Sequence, residues 1–244
     1  MSQEITTETV SLSVSDGTTM PAYVARPAAA SPHPGLIVFQ EAFGVNAHIH
    51  DITERFARAG YTAIAPALFH RTNANFKGLY TDFASAMPHV MALTDAGQSA
   101  DIQAAYEWLT TTGGASAVGS TGYCLGGRAS FLADTLLPLK ASVSYYGGGI
   151  APSEGLPFPG LPDKADALHG PILLFWGGLD EHIGSAQVKA TEEVLKAAKK
   201  NYAQVVFSQA DHGFFCDARA SYNPDAARQA WALTLEFLAT YMKQ

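Results

Sequence analysis

The chain has 244 residues, 48% of them apolar and 15% charged, and a net charge of −7. That composition can bury a sizeable core without staples, and it excludes a disordered or fibrous chain. The acidic balance argues against nucleic acid as a partner; the densest cationic spot, Lys196–Lys200, suits the negative end of a helix.

From the N-terminus, "VSLSV" and "MPAYVA" alternate polar and apolar residues around "SDGT", which predicts an antiparallel hairpin. The first residues show no cationic start or apolar stretch of a secretory signal, and no apolar run reaches membrane-spanning length. A cytoplasmic protein with no membrane partner is expected. "GLIVF" (Gly35–Phe39) is continuously apolar and reads as a strand buried on both faces. Ile49, Ile52, Phe56 and Ala59 then recur at helical spacing, and Gly60 closes that helix. "YTAIAP" (Tyr61–Pro66) is a second buried strand.

The stretch 67–94 is irregular with weak helical patches, and 72–95 is a candidate lid, since loops of this length are often functional. Ile102, Ala105, Tyr106 and Leu109 mark the next helix. "SAVGSTGY" is a weaker strand, and Gly126–Leu137 reads as helix. "ASVSYY" and "PILLFWGG" are strands separated by a Pro- and Gly-rich surface excursion at 151–169. Val188, Thr191, Leu195 and Ala198 mark another helix, followed by the last strand, "QVVFS". In the final helix Asn223 caps, Pro224 takes the first turn, Asp225 favours the positive end, and Trp231, Leu235, Leu238 and Met242 form a stripe.

Strands alternate with helices throughout, and no linker divides the chain. The expectation is one α/β domain over 1–244, with a mainly parallel sheet and helices on both faces. In such sheets ligands bind at the carboxyl ends of the strands. Cys124 lies in "GYCLGG" at a strand–turn–helix junction, which has the shape of a nucleophile elbow with sulfur in place of oxygen. The helix N-terminus there favours a thiolate. Asp180 in "GGLDEHI" and His212 in "ADHGF" each follow a different predicted strand. Taken singly, an aspartate in a turn and a lone histidine are more often structural. Their order, nucleophile then acid then histidine, matches the α/β-hydrolase arrangement. His212 would take the thiol proton or activate water, and Asp180 would orient the imidazole. Glu41 ends the strand "GLIVFQE", and the amides of Ala42 and Leu125 are candidate oxyanion donors.

These motifs, with "QEAFGVN" (Gln40–Asn46) and "YYGGGI" (Tyr145–Ile150), resemble the dienelactone hydrolase (carboxymethylenebutenolidase) family of the α/β-hydrolase fold, from about Ser11 to Met242. The resemblance implies a cysteine hydrolase of small lactones or esters that works through a thioester, with no cofactor and no metal. It implies a triad of Cys124, Asp180 and His212, and a Glu41 that contacts the resting thiol. It also implies that Arg71 in "PALFHRT" binds a substrate carboxylate. Tyr145 is a candidate substrate contact, although one of Tyr145 and Tyr146 is expected in the core. A second carboxylate-binding arginine of the family falls on Cys216 here, and Arg219 stands three residues later. The partner is then a small molecule, and the protein a monomer or small homo-oligomer. Two rival readings are a non-catalytic receptor on the same fold, and a thiol redox protein using Cys124 and Cys216. Neither cysteine lies in a C-x-x-C, and two thiols make no disulfide framework.

Overall fold

Eight strands form one sheet in the order β1-β2-β4-β3-β5-β6-β7-β8. They are β1 (Ile5–Ser13), β2 (Thr19–Pro27), β3 (Gly35–Phe39), β4 (Thr62–Pro66), β5 (Val118–Tyr123), β6 (Ser142–Tyr145), β7 (Ile172–Gly177) and β8 (Tyr202–Phe207). The computed structural model describes residues 3–29, 32–151 and 159–242. β1 and β2 form the expected hairpin, and β2 also runs antiparallel to β4. The pairings from β4 through β3, β5, β6 and β7 to β8 are parallel. Every residue of β3, β4, β5, β6 and β7 is buried, as continuous apolar runs require in a sheet covered by helices.

The helices are α1 (Ala47–Arg58), α2 (His70–Asn73), α3 (Phe83–Met91), α4 (Asp95–Thr111), α5 (Leu125–Leu136), α6 (Ser185–Ala197) and α7 (Pro224–Tyr241). Their starts follow local chemistry. The Asn46 side chain accepts from the Ile49 amide at 3.2 Å, Thr94 from Gly97 at 3.0 Å, and Asn223 from Ala226 at 3.1 Å. α1 turns Ile49, Ile52 and Phe56 inward and packs on β2, β3 and β4. α5 is buried along almost its whole length against β5 and β6.

Three local readings differ from the sequence expectation. The irregular 67–94 stretch contains α2 and α3, both short, and α3 tolerates Pro88 in its interior. α4 begins at Asp95, a turn and more before its apolar stripe, because Thr94 caps it. In the 151–169 excursion, a short 3-10 helix spans Pro162–Ala167, while 152–158 lies outside the described residues. Because the central strands are parallel, the residues that follow β3, β5, β6, β7 and β8 emerge at one edge of the sheet.

Candidate active site

A single residue, Cys124, separates β5 from α5, and its backbone is left-handed with φ 55° and ψ −116°. Such a conformation costs a non-glycine residue about 1–3 kcal/mol and persists only where the surroundings impose it. They do so here. The Cys124 amide donates to the Tyr145 carbonyl at 3.0 Å, and the Gly127 amide donates to the Cys124 carbonyl at 2.9 Å. Two glycines give the turn room. A Cβ on Gly122 would overlap the Gly126 backbone, and one on Gly126 would run into the carbonyls of Phe39 and Gln40. The thiol is therefore presented at the head of α5 and is half-buried.

His212 stands in the loop after β8, and Asp180 in the turn after β7. His212 Nδ1 lies 2.8 Å from Asp180 Oδ2. The other Asp180 oxygen accepts the amides of His182 at 2.8 Å and Ile183 at 2.9 Å. Burial alone would raise the Asp180 carboxyl; the hydrogen bond from His212 and the two amides overcome it and hold the group below the usual carboxylate range. Burial alone would lower the His212 imidazole. The electrostatic interaction with Cys124 and the hydrogen bond to the Asp180 carboxylate overturn that effect and push it up to about 10. His212 thus stands between Asp180, to which it is hydrogen-bonded, and Cys124, which acts on it electrostatically.

Glu41 follows β3 and is fully buried. Its Oε1 accepts from Arg219 Nη1 at 3.2 Å, so Arg219 reaches inward from the loop after β8. The ion-pair partner of Glu41 is Arg219. Gly213, with φ 77°, makes this approach possible: a Cβ there would sit 2.5 Å from the Arg219 guanidinium carbon. The guanidinium also lies 5.9 Å from the Phe43 ring centre and 5.5 Å from that of Tyr80. Tyr80 belongs to the 72–95 segment, and Asn46 Nδ2 donates to its hydroxyl at 3.1 Å. That segment therefore supplies one wall of the site.

The candidate oxyanion donors stand at the head of α5 and after β3. Leu125 is the first residue of α5, so its amide has no acceptor within the helix. Ala42 follows Glu41 and is buried. A residue missed in the sequence positions it. Gln40 Nε2 donates to the Glu41 carbonyl at 3.2 Å, and Gln40 Oε1 accepts the Leu68 amide at 3.0 Å. The Glu41 carbonyl and the Ala42 amide share one peptide plane, so Gln40 sets the direction of that N–H. A polar residue interrupting an apolar strand end was the available signal.

Two expected substrate contacts are corrected. Arg71 is not joined to the cluster. Its Nη1 and Nη2 each donate to an Asp101 oxygen at 2.9 Å, and its Nε donates to Asp16 at 2.8 Å, so both sides of the fork are occupied. Tyr145 is a core residue. Its hydroxyl meets Thr234 Oγ1 at 2.6 Å and the Ala230 carbonyl at 3.2 Å, both on α7, because an inward side chain of a fully buried strand points into helix packing. The next residue, Tyr146, has φ 39°, and its ring centre lies 5.1 Å from that of His212. That reversal of the backbone directs one tyrosine to the core and its neighbour to the site.

Around Glu41, burial also acts on two further groups. It lowers the His48 imidazole, and with the Glu41 charge it pushes the Cys216 thiol up to about 11.

Comparison with known proteins shows the family of the chain. Residues 20–242 match the model of the dienelactone hydrolase family. A protein of Synechocystis sp. named "Putative carboxymethylenebutenolidase" is 37% identical over 230 residues, covering 91% of this chain and 92% of its own. A protein of the same name from Methylorubrum extorquens is 35% identical, covering 95% of this chain and 80% of its own. The crystal structure of a "Putative Dienelactone Hydrolase" from Klebsiella pneumoniae superposes with a TM-score of 0.87 at 34% identity, covering 98% of this chain and all of that one.

Proposed function

This chain belongs to the dienelactone hydrolase family, and from that premise we propose that it hydrolyses small carboxylic esters or lactones with Cys124 as the nucleophile. The observation that carries the reading is the strained Cys124 at the head of α5 beside a His212 hydrogen-bonded to Asp180.

His212 takes the Cys124 thiol proton as the sulfur attacks the substrate carbonyl, forming a C–S bond. The carbonyl oxygen takes the negative charge and is held by the amides of Ala42 and Leu125. The charge returns, the C–O bond to the leaving group breaks, and the His212 imidazolium gives that oxygen its proton. In a lactone the released oxygen stays on the same molecule. His212 then takes a proton from water, the hydroxide attacks the thioester carbonyl, the C–S bond breaks, and the departing Cys124 sulfur takes that proton back from His212. Asp180 keeps the imidazole in the tautomer that both steps need.

Arg219 is the better candidate for a substrate carboxylate. It borders the group, its side chain is 20% exposed, and the partner that holds it is a single carboxylate oxygen. A substrate acid would share or displace Glu41 at that guanidinium. Tyr80 and the rest of the 72–95 segment close the same side. The proposed partner is a small molecule, and no step calls for a cofactor.

The test is turnover of p-nitrophenyl acetate and a panel of lactones. Cys124→Ala is expected to abolish turnover, and mass spectrometry of a quenched reaction should find the acyl group on Cys124. Full activity in Cys124→Ala, or an acyl group on another residue, removes the assignment.

A further inference from the structure

Beside the proposed catalytic line lies a second set of donors. Glu41, His48 and Cys216 are all buried, and one donor atom from each lies within 4.8 Å of the others. They arrive from three places: the end of β3, the first turn of α1, and the loop after β8. Buried polar atoms normally find partners, because leaving one unpaired costs about 1–3 kcal/mol. Glu41 Oε2 and both His48 ring nitrogens have no hydrogen-bond partner among the described residues. His48 Nδ1 lies 4.0 Å from Asp217 Oδ1, on the residue after Cys216. A carboxylate behind one ring nitrogen is the usual support of an imidazole whose other nitrogen binds a metal.

We infer that Glu41, His48 and Cys216 form a site for a borderline-soft divalent cation, of which zinc fits best. One carboxylate oxygen, one imidazole nitrogen and one sulfur suit zinc, whereas calcium and magnesium require oxygen donors. Tetrahedral zinc needs ligand atoms about 3.3–3.8 Å apart, so the three side chains close by about 1 Å on binding. Glu41 can bind through Oε2 while Oε1 keeps Arg219. On binding, the Cys216 S–H bond breaks, its proton leaves to solvent and an S–Zn bond forms, with no change of oxidation state. The fourth position falls to water. The Asp217 side chain is 59% exposed, which brings the cluster within one side chain of solvent. The ion would tie the loop that carries His212 and Arg219 to β3 and α1. This role is separate from hydrolysis and does not depend on it.

The test uses the full chain, stripped with a chelator and titrated with cobalt(II) as a spectroscopic probe. One cobalt per chain is expected, with a near-ultraviolet sulfur-to-cobalt band. Cys124→Ser should keep that band and Cys216→Ser should lose it, which separates this site from the proposed nucleophile. His48→Gln should weaken binding about tenfold or more. Because Cys216→Ser perturbs a buried position, zinc-dependent melting provides a second readout. At a hundredfold excess over the wild-type Kd, zinc should raise the Tm of the wild type and of Cys124→Ser by about 5 °C, and that of His48→Gln by about half as much or less. No sulfur-to-cobalt band in the wild type, a band lost with Cys124 instead of Cys216, or an equal zinc shift in all three proteins overturns the site.

Discussion

His212 sits between Asp180 and Cys124 in a buried place, and that position sets its pH behaviour. Its pKa in the fold, about 10, lies above its ordinary value of 6.5. Its contribution to stability is therefore complete below about pH 6.5 and fades as pH rises toward 10. The gap in Tm between wild type and His212→Gln should shrink over that window; a gap that widens would contradict the raised pKa. Asp180 behaves oppositely, since a lowered carboxyl contributes at neutral pH and is lost in acid. Asp180→Asn should leave the fold intact but reduce kcat by about 10³–10⁴-fold, through the wrong imidazole tautomer. The two arginines are separable by the same kind of measurement. Arg219→Gln should raise KM for a carboxylate-bearing ester and hardly change it for a neutral one. Equal changes for both esters would remove Arg219 from recognition.

Elements, not single contacts, hold the elbow open. β3, β5 and the head of α5 approach so closely that Gly126 has no space for a side chain. Gly126→Ala should cost about 1–3 kcal/mol, read as a lower urea midpoint, and should reduce activity by displacing Cys124 and the Leu125 amide together. A second tether joins the β1–β2 turn, α2 and α4 through Asp16, Arg71 and Asp101. Asp101 is fully buried, so Arg71→Ala strands a carboxylate and should cost about 3 kcal/mol or more. It should leave KM for carboxylate-bearing and neutral esters in the same ratio as in the wild type. A selective rise in KM for the acid would return Arg71 to the site.

At the scale of the whole molecule, eight strands share one sheet and one continuous core runs from Leu12 to Met242. That continuity predicts a single cooperative unfolding transition, with far-UV circular dichroism and tryptophan fluorescence giving the same urea midpoint. Two separated transitions would divide the chain into more than one unit. Much of this architecture was legible in the sequence. Continuous apolar runs such as "GLIVF" and "PILLFWGG" can be buried only in a covered parallel sheet, and caps such as Asn223 with Pro224 mark a helix start by local hydrogen bonding alone. Glycine spacing around Cys124 and the order Cys124, Asp180, His212 were equally local signals, because strand ends are set by the chain itself. What the sequence left open was which long side chains meet. An arginine reaches several ångströms from its backbone, so its partner depends on elements distant in sequence. Arg71 found Asp101 and Asp16, Arg219 found Glu41, and the turn of backbone at Tyr146 decided which of two adjacent tyrosines faces His212. Periodicity and turn chemistry act over a few residues and so determined the elements and their order. The pairing of charges and the convergence of Glu41, His48 and Cys216 arise only when the folded sheet brings separate loops to one edge.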